Sequence, residues 1–281
     1  MAYYRPETLD DALAIRATTG AQPLAGGTDI YPARAQARGW GHVADGPVLD
    51  LSRLAALRGI EDRGDHWRIG ALVTWAELCR TPLPPAFDGL KAAASEVGGW
   101  QVQNRGTIVG NLCNASPAAD GVPALLCHDA EVVLAGSGTE RRLPLAEFIA
   151  GNRRTLCRSD EIVTELRLPK LTPGTRSAFS KLGSRRYLVI SIVMAAGIAK
   201  VEDGVVRDLR LAVGACSPVA LRLPLLEAEV TGRPAVPVAV TPSHLVDISP
   251  IDDVRASAEY RRAAAAVVVS RLLTALLEEG R

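Results

Sequence analysis

Two short glycine-bearing turns, Ala25-Gly26-Gly27-Thr28-Asp29 and Gly106-Thr107-Ile108-Val109-Gly110-Asn111, constrain this chain more than any other feature. The first lies between a short strand expected at Gln22–Ala25 and a helix that opens with Pro32 in its first turn. Glycines at such a junction allow positive φ and let another group approach the backbone with no Cβ in the way. Unpaired N–H groups at the turn and the helix start then face an anion. Thr28 adds a hydroxyl donor, while Asp29, being negative, suits the N-cap of the following helix better than a phosphate. The second turn repeats the logic, with Thr107 and Asn111 supplying side-chain hydrogen bonds. Ala115-Ser116-Pro117-Ala118-Ala119-Asp120 follows, and its hydroxyl and carboxylate suit sugar hydroxyls. Neither turn is G-x-G-x-x-G or G-x-x-x-x-G-K-[ST], so the Rossmann and P-loop patterns are excluded.

The chemistry available elsewhere is sparse. Four histidines are scattered with no H-E-x-x-H, there is no G-x-S-x-G elbow, and Gly136-Ser137-Gly138 reads as a hairpin turn between Glu131–Ala135 and Arg141–Leu143. Five cysteines without a C-x-x-C pair read as free thiols rather than a disulfide framework, a zinc site or a cluster site. No catalytic side chain and no metal ligand stands out, so an enzyme of this sequence needs a cofactor for its chemistry. With 32 basic and 31 acidic residues and no basic tract, nucleic acid and anionic membranes are not expected partners. The N-terminus lacks a secretory signal and the longest apolar run, Ala263–Val269, is too short for a bilayer, so the expectation is a cytoplasmic protein without membrane insertion.

The hydrophobic pattern predicts α+β architecture. Thr8 caps a helix to about Thr18, and Thr74-Trp75-Ala76-Glu77 is a capping box. Strands are expected at Val48–Leu51, Gly59–Ile60, His66–Gly70 and Glu161–Leu168, and a helix at Phe87–Val97. The stretch Gly98–Pro123, dense in Gly, Asn, Ser and Pro, is expected to be an ordered functional loop. Breakers in Lys170–Arg176 set a boundary between domains 1–172 and 173–281. Beyond it, Ala178–Leu182, Leu188–Val201 and Val205–Val213 read as antiparallel strands. Ala258–Leu277 reads as a helix with Tyr260, Ala264, Val267, Val268, Leu272 and Leu276 on one face.

Three motifs in combination, Pro23-Leu24-Ala25-Gly26-Gly27-Thr28-Asp29-Ile30, Gly106-Thr107-x-x-Gly110-Asn111 and Ala115-Ser116-Pro117-x-x-Asp120, resemble the FAD-binding (medium) subunit of molybdenum hydroxylases. That is the family of the flavin subunits of xanthine dehydrogenase, carbon monoxide dehydrogenase and 4-hydroxybenzoyl-CoA reductase. Asp160–Pro169 and Phe179–Arg186 extend the similarity over essentially the whole chain. The resemblance implies a vanillyl-alcohol-oxidase (PCMH)-type FAD-binding domain of two subdomains, followed by a small antiparallel-sheet-plus-helices domain. It implies FAD contacts at residues 23–30, at Thr107, Ile108, Val109, Gly110 and Asn111, and at Ser116, Asp120, Val163 and Lys181, with Val97 as a weaker transfer. Lys181 is expected either beside the flavin ring or as a solvated strand-end lysine.

The resemblance also implies partners: a large molybdopterin-binding subunit and a small subunit with two [2Fe–2S] clusters, in a dimer of heterotrimers. Electrons would pass from the clusters through FAD to NAD⁺ or another acceptor. Two departures stand out, Val109 where the family has the first glycine of a pair, and Gln103 where it commonly has arginine. These keep open a non-catalytic assembly subunit that has lost its flavin. A stand-alone flavin reductase of the same fold is a further alternative.

Overall fold

The computed structural model describes residues 2–42 and 46–278. Strands Tyr3–Tyr4, Val48–Asp50 and Gln22–Leu24 form a three-stranded parallel sheet with Val48–Asp50 in the middle. Helices Leu9–Thr19 and Ile30–Gly39 belong to the same first subdomain. The first of them starts where Thr8 Oγ1 accepts from the Asp11 N–H and stops at Gly20, which takes φ +62°.

A second subdomain is built on a five-stranded antiparallel sheet in the order Ile60–Asp62, His66–Gly70, Ile162–Pro169, Glu131–Gly136, Thr139–Pro144. Its central strand, Ile162–Pro169, is buried at Ile162, Val163, Thr164, Leu166 and Leu168, while Glu165 and Arg167 are half-buried on the other face. The hairpin at Ser137-Gly138 is present, with Gly138 at φ +74°.

Residues 98–123 are ordered, but they are not the loop expected from their composition. They fold into three short helices, Trp100–Gln103, Ile108–Asn114 and Gly121–Cys127. Ile108, Val109, Leu112 and Val122 are buried in the domain core and hold these helices in place, a case of tertiary burial overriding loop-like composition.

The C-terminal region is an antiparallel sheet, Arg176–Leu182, Val193–Glu202, Val205–Gly214 and Leu221–Arg222, covered by helices Pro224–Val230 and Ala258–Glu278. The strand predicted from Leu188 begins only at Val193, because residues 183–191 run irregularly and Leu188 sits at φ +52°. The terminal helix buries Arg261, Ala265, Val268, Val269, Leu272, Leu273, Leu276 and Leu277. Its buried face is therefore rotated from the predicted one: Tyr260 and Val267 are exposed. An intact run of alanines and valines offers apolar residues on several faces, so periodicity alone does not choose among them.

The two regions pack closely. Helix Asp88–Glu96 rests on strand Arg176–Leu182, where a Cβ on Gly89 would stand 2.8 Å from Ala178 O, and Gly89 N–H donates to Ser177 Oγ at 2.8 Å. Ala196, Ile198 and Ala212 of the C-terminal sheet join the core of the first domain. Among the described residues, no helix is long and apolar enough to cross a membrane.

Candidate cofactor cleft

The two glycine turns meet each other. An added Cβ on Gly26 would lie 1.8 Å from Arg105 O and 3.0 Å from Gly106 Cα, so the first turn touches the backbone of the second. Gly27 takes φ +76° and lies against the Tyr31 ring. Gly106 approaches Thr28 Oγ1, and Gly106 O accepts from Trp75 N–H at 3.2 Å, which ties the second turn to the segment before helix Trp75–Arg80. Asn114 Nδ2 donates to Asp29 Oδ1 at 2.7 Å, a further link between them. Asp29 therefore occupies the N-cap position of Ile30–Gly39 without capping it: its backbone is helical there rather than extended, and its Oδ1 accepts from Asn114.

A cleft of about 630 Å³ opens between the two subdomains at this junction. It falls within the roughly 300–1,000 Å³ typical of small-molecule and cofactor sites. Pro23, Ala25, Gly26, Gly27, Thr28, Asp29 and Ile30 line it from the first turn, and Thr107, Val109, Gly110 and Asn111 from the second. Val163 and Val97 line it as well. Leu24 and Ile108 do not, since their side chains are in the interior.

The N–H groups of Gly26, Gly27, Thr28, Asp29 and Ile30 have no hydrogen-bond acceptor among the described residues. At the start of helix Ile108–Asn114 the Ile108 N–H goes to Val73 O, the Gly110 N–H to Thr107 Oγ1 and the Asn111 N–H to Thr107 O. The Val109 N–H has no acceptor there. The Val109 side chain is only 4% exposed and packs in the core, while its N–H stays unused. Asn111 Oδ1 is buried without a partner. Gln103 Nε2 donates to Ser95 O at 3.0 Å at the surface of the fold.

Ser116, Asp120 and Lys181 lie outside this cleft. Ser116 accepts from the Ala118 N–H in a turn. Lys181 is not a solvated strand-end lysine: its side chain is 7% exposed, and Nζ bonds Asp120 Oδ2 at 2.8 Å and Glu96 O at 3.1 Å. Ser191 Oγ donates to Asp120 Oδ1 at 2.6 Å. Burial raises the Asp120 pKa, outweighing the neighbouring Lys181 ammonium and the Ser191 hydroxyl. This trio joins the first domain to the second.

Other lining residues were not singled out from the sequence. Arg16 reaches from the first helix to Ala21 O at 2.8 Å and Glu161 O at 3.3 Å. Its only sequence signal is a basic residue in a helix's last turn. Glu161 is held by Arg141 at 2.6 Å, and that hydrogen bond, against burial, keeps its pKa below the usual carboxylate range. Trp75 and Arg153 also line the cleft, and Arg153 adopts φ +57° with no sequence cue for it. Burial pushes the Cys157 thiol up to about 11, so this cleft thiol is not a ready nucleophile.

Comparison with known proteins places the chain. Residues 1–171 match the family model described as the FAD binding domain in molybdopterin dehydrogenase, and residues 178–276 match the CO dehydrogenase flavoprotein C-terminal domain. The chain belongs to the family of FAD-binding subunits of molybdenum hydroxylases, and is an oxidoreductase subunit of that class. It is 29% identical over 279 residues to the carbon monoxide dehydrogenase medium chain of Hydrogenophaga pseudoflava, covering 97% of this chain and 96% of that one. It is 30% identical over 268 residues to the xanthine dehydrogenase FAD-binding subunit of Escherichia coli O157:H7, covering 92% and 90% respectively. Among solved structures, the Hydrogenophaga pseudoflava carbon monoxide dehydrogenase lacking the Mo-pyranopterin moiety superimposes with a TM-score of 0.90 at 29% identity, covering 98% and 96%.

Proposed function

We propose that the cleft between the subdomains holds FAD, and that this chain relays electrons within a molybdenum hydroxylase complex. The carrying observation is the run of unused N–H groups from Gly26 to Ile30, residues that line the same cleft as Val109 with its unused N–H. Such a row of amides beside a helix start suits a pyrophosphate. Residues 23, 25–30, 107, 109–111 and 163 are the proposed contacts. Leu24 and Ile108 support them from the core. Ser116, Asp120 and Lys181 act indirectly, Asp120 and Lys181 by fixing the second domain against the first.

FAD held here supplies the exchange of single electrons with iron–sulfur clusters for electron pairs with an acceptor. The chain's own residues bind and orient it and set its electrostatics. The proposed partners are a large molybdopterin-binding subunit and a small [2Fe–2S] subunit, assembled as a dimer of heterotrimers, with NAD⁺ or another molecule as final acceptor. The names of the relatives, medium chain and FAD-binding subunit, support a multi-subunit setting.

The test is direct. Purified protein should be yellow, bleach with dithionite and release FAD on denaturation, and the native complex should co-purify with molybdenum and iron. Colourless protein that takes up no added FAD would reject this reading in favour of an assembly subunit without flavin.

A further inference from the structure

Among the described residues, the charged ones lining the cofactor cleft are Arg16, Asp29, Arg153 and Glu161. Three of them are engaged within the fold. Asp29 Oδ1 accepts from Asn114 Nδ2 at 2.7 Å. Glu161 accepts from Arg141 Nε at 2.6 Å and from the Arg158 N–H at 2.8 Å. Arg16 spreads its guanidinium over the carbonyls of Gly20, Ala21 and Glu161. Arg153 differs. It is exposed and pairs with no carboxylate among the described residues, and its side-chain bond, Nη1 to Asn114 O, is a long 3.3 Å.

The backbone fixes where this arginine stands. Strands Ile149–Gly151 and Arg154–Thr155 pair as a hairpin whose turn is Asn152-Arg153. Arg153 takes φ +57°, a conformation that residues other than glycine seldom adopt. Its N–H donates to Ala115 O at 2.8 Å, which pins the hairpin tip just past the end of helix Ile108–Asn114. Asn114, whose carbonyl meets the guanidinium, is the residue whose side chain reaches Asp29. Asn114 thus bridges Arg153 to the row of unused amides that runs from Gly26 to Ile30.

Those amides bring hydrogen bonds but no net charge. An anion taken out of water needs a counter-charge as well, and the guanidinium fork matches phosphate oxygens. Resting on the reading of the cleft as an FAD site, we propose that Arg153 supplies the positive charge for the FAD diphosphate and makes the cleft select a phosphorylated flavin over riboflavin. The purely structural duty open to the same side chain is to cap the last carbonyls of helix Ile108–Asn114, and the two duties give different results.

The experiment measures FAD and riboflavin affinity of the full-length protein freed of flavin, by flavin fluorescence over a series of KCl concentrations, with thermal melting alongside. The parent is compared with Arg153→Asn and Arg153→Lys. Asparagine accepts the left-handed backbone, so Arg153→Asn removes the charge without straining the turn. It is expected to weaken FAD binding by about 10- to 100-fold, the worth of one hydrogen bond to a charged group. Riboflavin affinity should stay within about threefold of the parent, and the salt dependence of FAD binding should flatten. Arg153→Lys should recover part of the loss, keeping the charge without the fork. Arg153→Asn affinity for FAD within about threefold of the parent, with or without a lower melting temperature, would overturn the assignment to Arg153. So would an equal loss for riboflavin or an unchanged salt dependence. Where Arg153→Asn fails to fold, the parent decides, since an FAD affinity no more salt-sensitive than that of riboflavin overturns the proposal. A parent protein that takes up no FAD at all would overturn the reading of the cleft itself, and this proposal with it.

Discussion

Gly26→Ala tests the contact on which the cofactor cleft is built. The new Cβ would stand 1.8 Å from Arg105 O and 2.6 Å from Arg105 C, both backbone atoms that no side-chain rotation can move aside. Restoring the 3.0 Å below which real Cβ contacts are essentially never found requires the turns to part by about 1.2 Å. A hydrogen bond of about 2.9 Å stretched by that much lies beyond bonding distance. Losing two of the charge-assisted bonds from the Gly26–Ile30 amides, at about 1.5–3 kcal/mol each, weakens FAD binding by at least about 100-fold. Overpacking adds about 1–3 kcal/mol of destabilisation. The assay is FAD titration by flavin fluorescence, with thermal melting of the apoprotein alongside. Gly39→Ala is the control, because nothing lies within 4 Å of its added Cβ and helix propensity favours alanine. A Gly26→Ala protein whose FAD affinity stays within about threefold of the parent, a difference well under 1 kcal/mol, would refute the reasoning.

Other substitutions separate packing from cofactor contact. Val109→Gly should lower stability by about 2–4 kcal/mol through lost burial and helix propensity, read by denaturant titration, without tightening FAD, since the Val109 N–H is already unused. Asn111→Leu should weaken FAD binding while leaving the melting temperature near or above that of the parent, because it removes an unpaired buried oxygen. Lys181→Met should cost about 3–5 kcal/mol by stranding the Asp120 carboxylate, with the Asp120→Asn/Lys181→Met pair less damaged than the sum of its parts. The flavin potential should be little changed by it. For Asp253, burial raises the pKa, but hydrogen bonds from the Arg255 N–H and the Arg261 and Arg255 guanidinium groups outweigh it and bring it to about 2. The native value lies below the unfolded one, so its stabilisation is present above the ordinary aspartate range and disappears as pH falls through about 2. Asp253→Asn should remove that part of the acid dependence in a pH series of melting temperatures.

Local signals carried much of the fold. The Thr8 cap, the Thr74/Glu77 capping box and the Ser137-Gly138 hairpin all depend on neighbouring residues, and the structure has each of them. What depends on distant partners was not legible. Residues 98–123 look like a loop one by one and become helical because Ile108, Leu112 and Val122 find a core elsewhere in the chain. Gly26 was read as leaving room for a ligand, yet its nearest neighbour is the carbonyl of Arg105, a contact between segments distant in sequence. Asp29 looked like a cap until Asn114 claimed it. Asp120 and Lys181 were legible as important residues, but their pairing with each other and with Ser191 was not. Pair interactions of this kind leave no trace in composition or spacing.

Every residue lining the cofactor cleft lies between Arg16 and Val163. The walls of the proposed FAD cleft are thus fully synthesised before the chain reaches its C-terminal sheet. Cofactor capture and completion of the C-terminal domain are separable in time on the ribosome, and a flavin bound early would stabilise the first domain while the second is still being made.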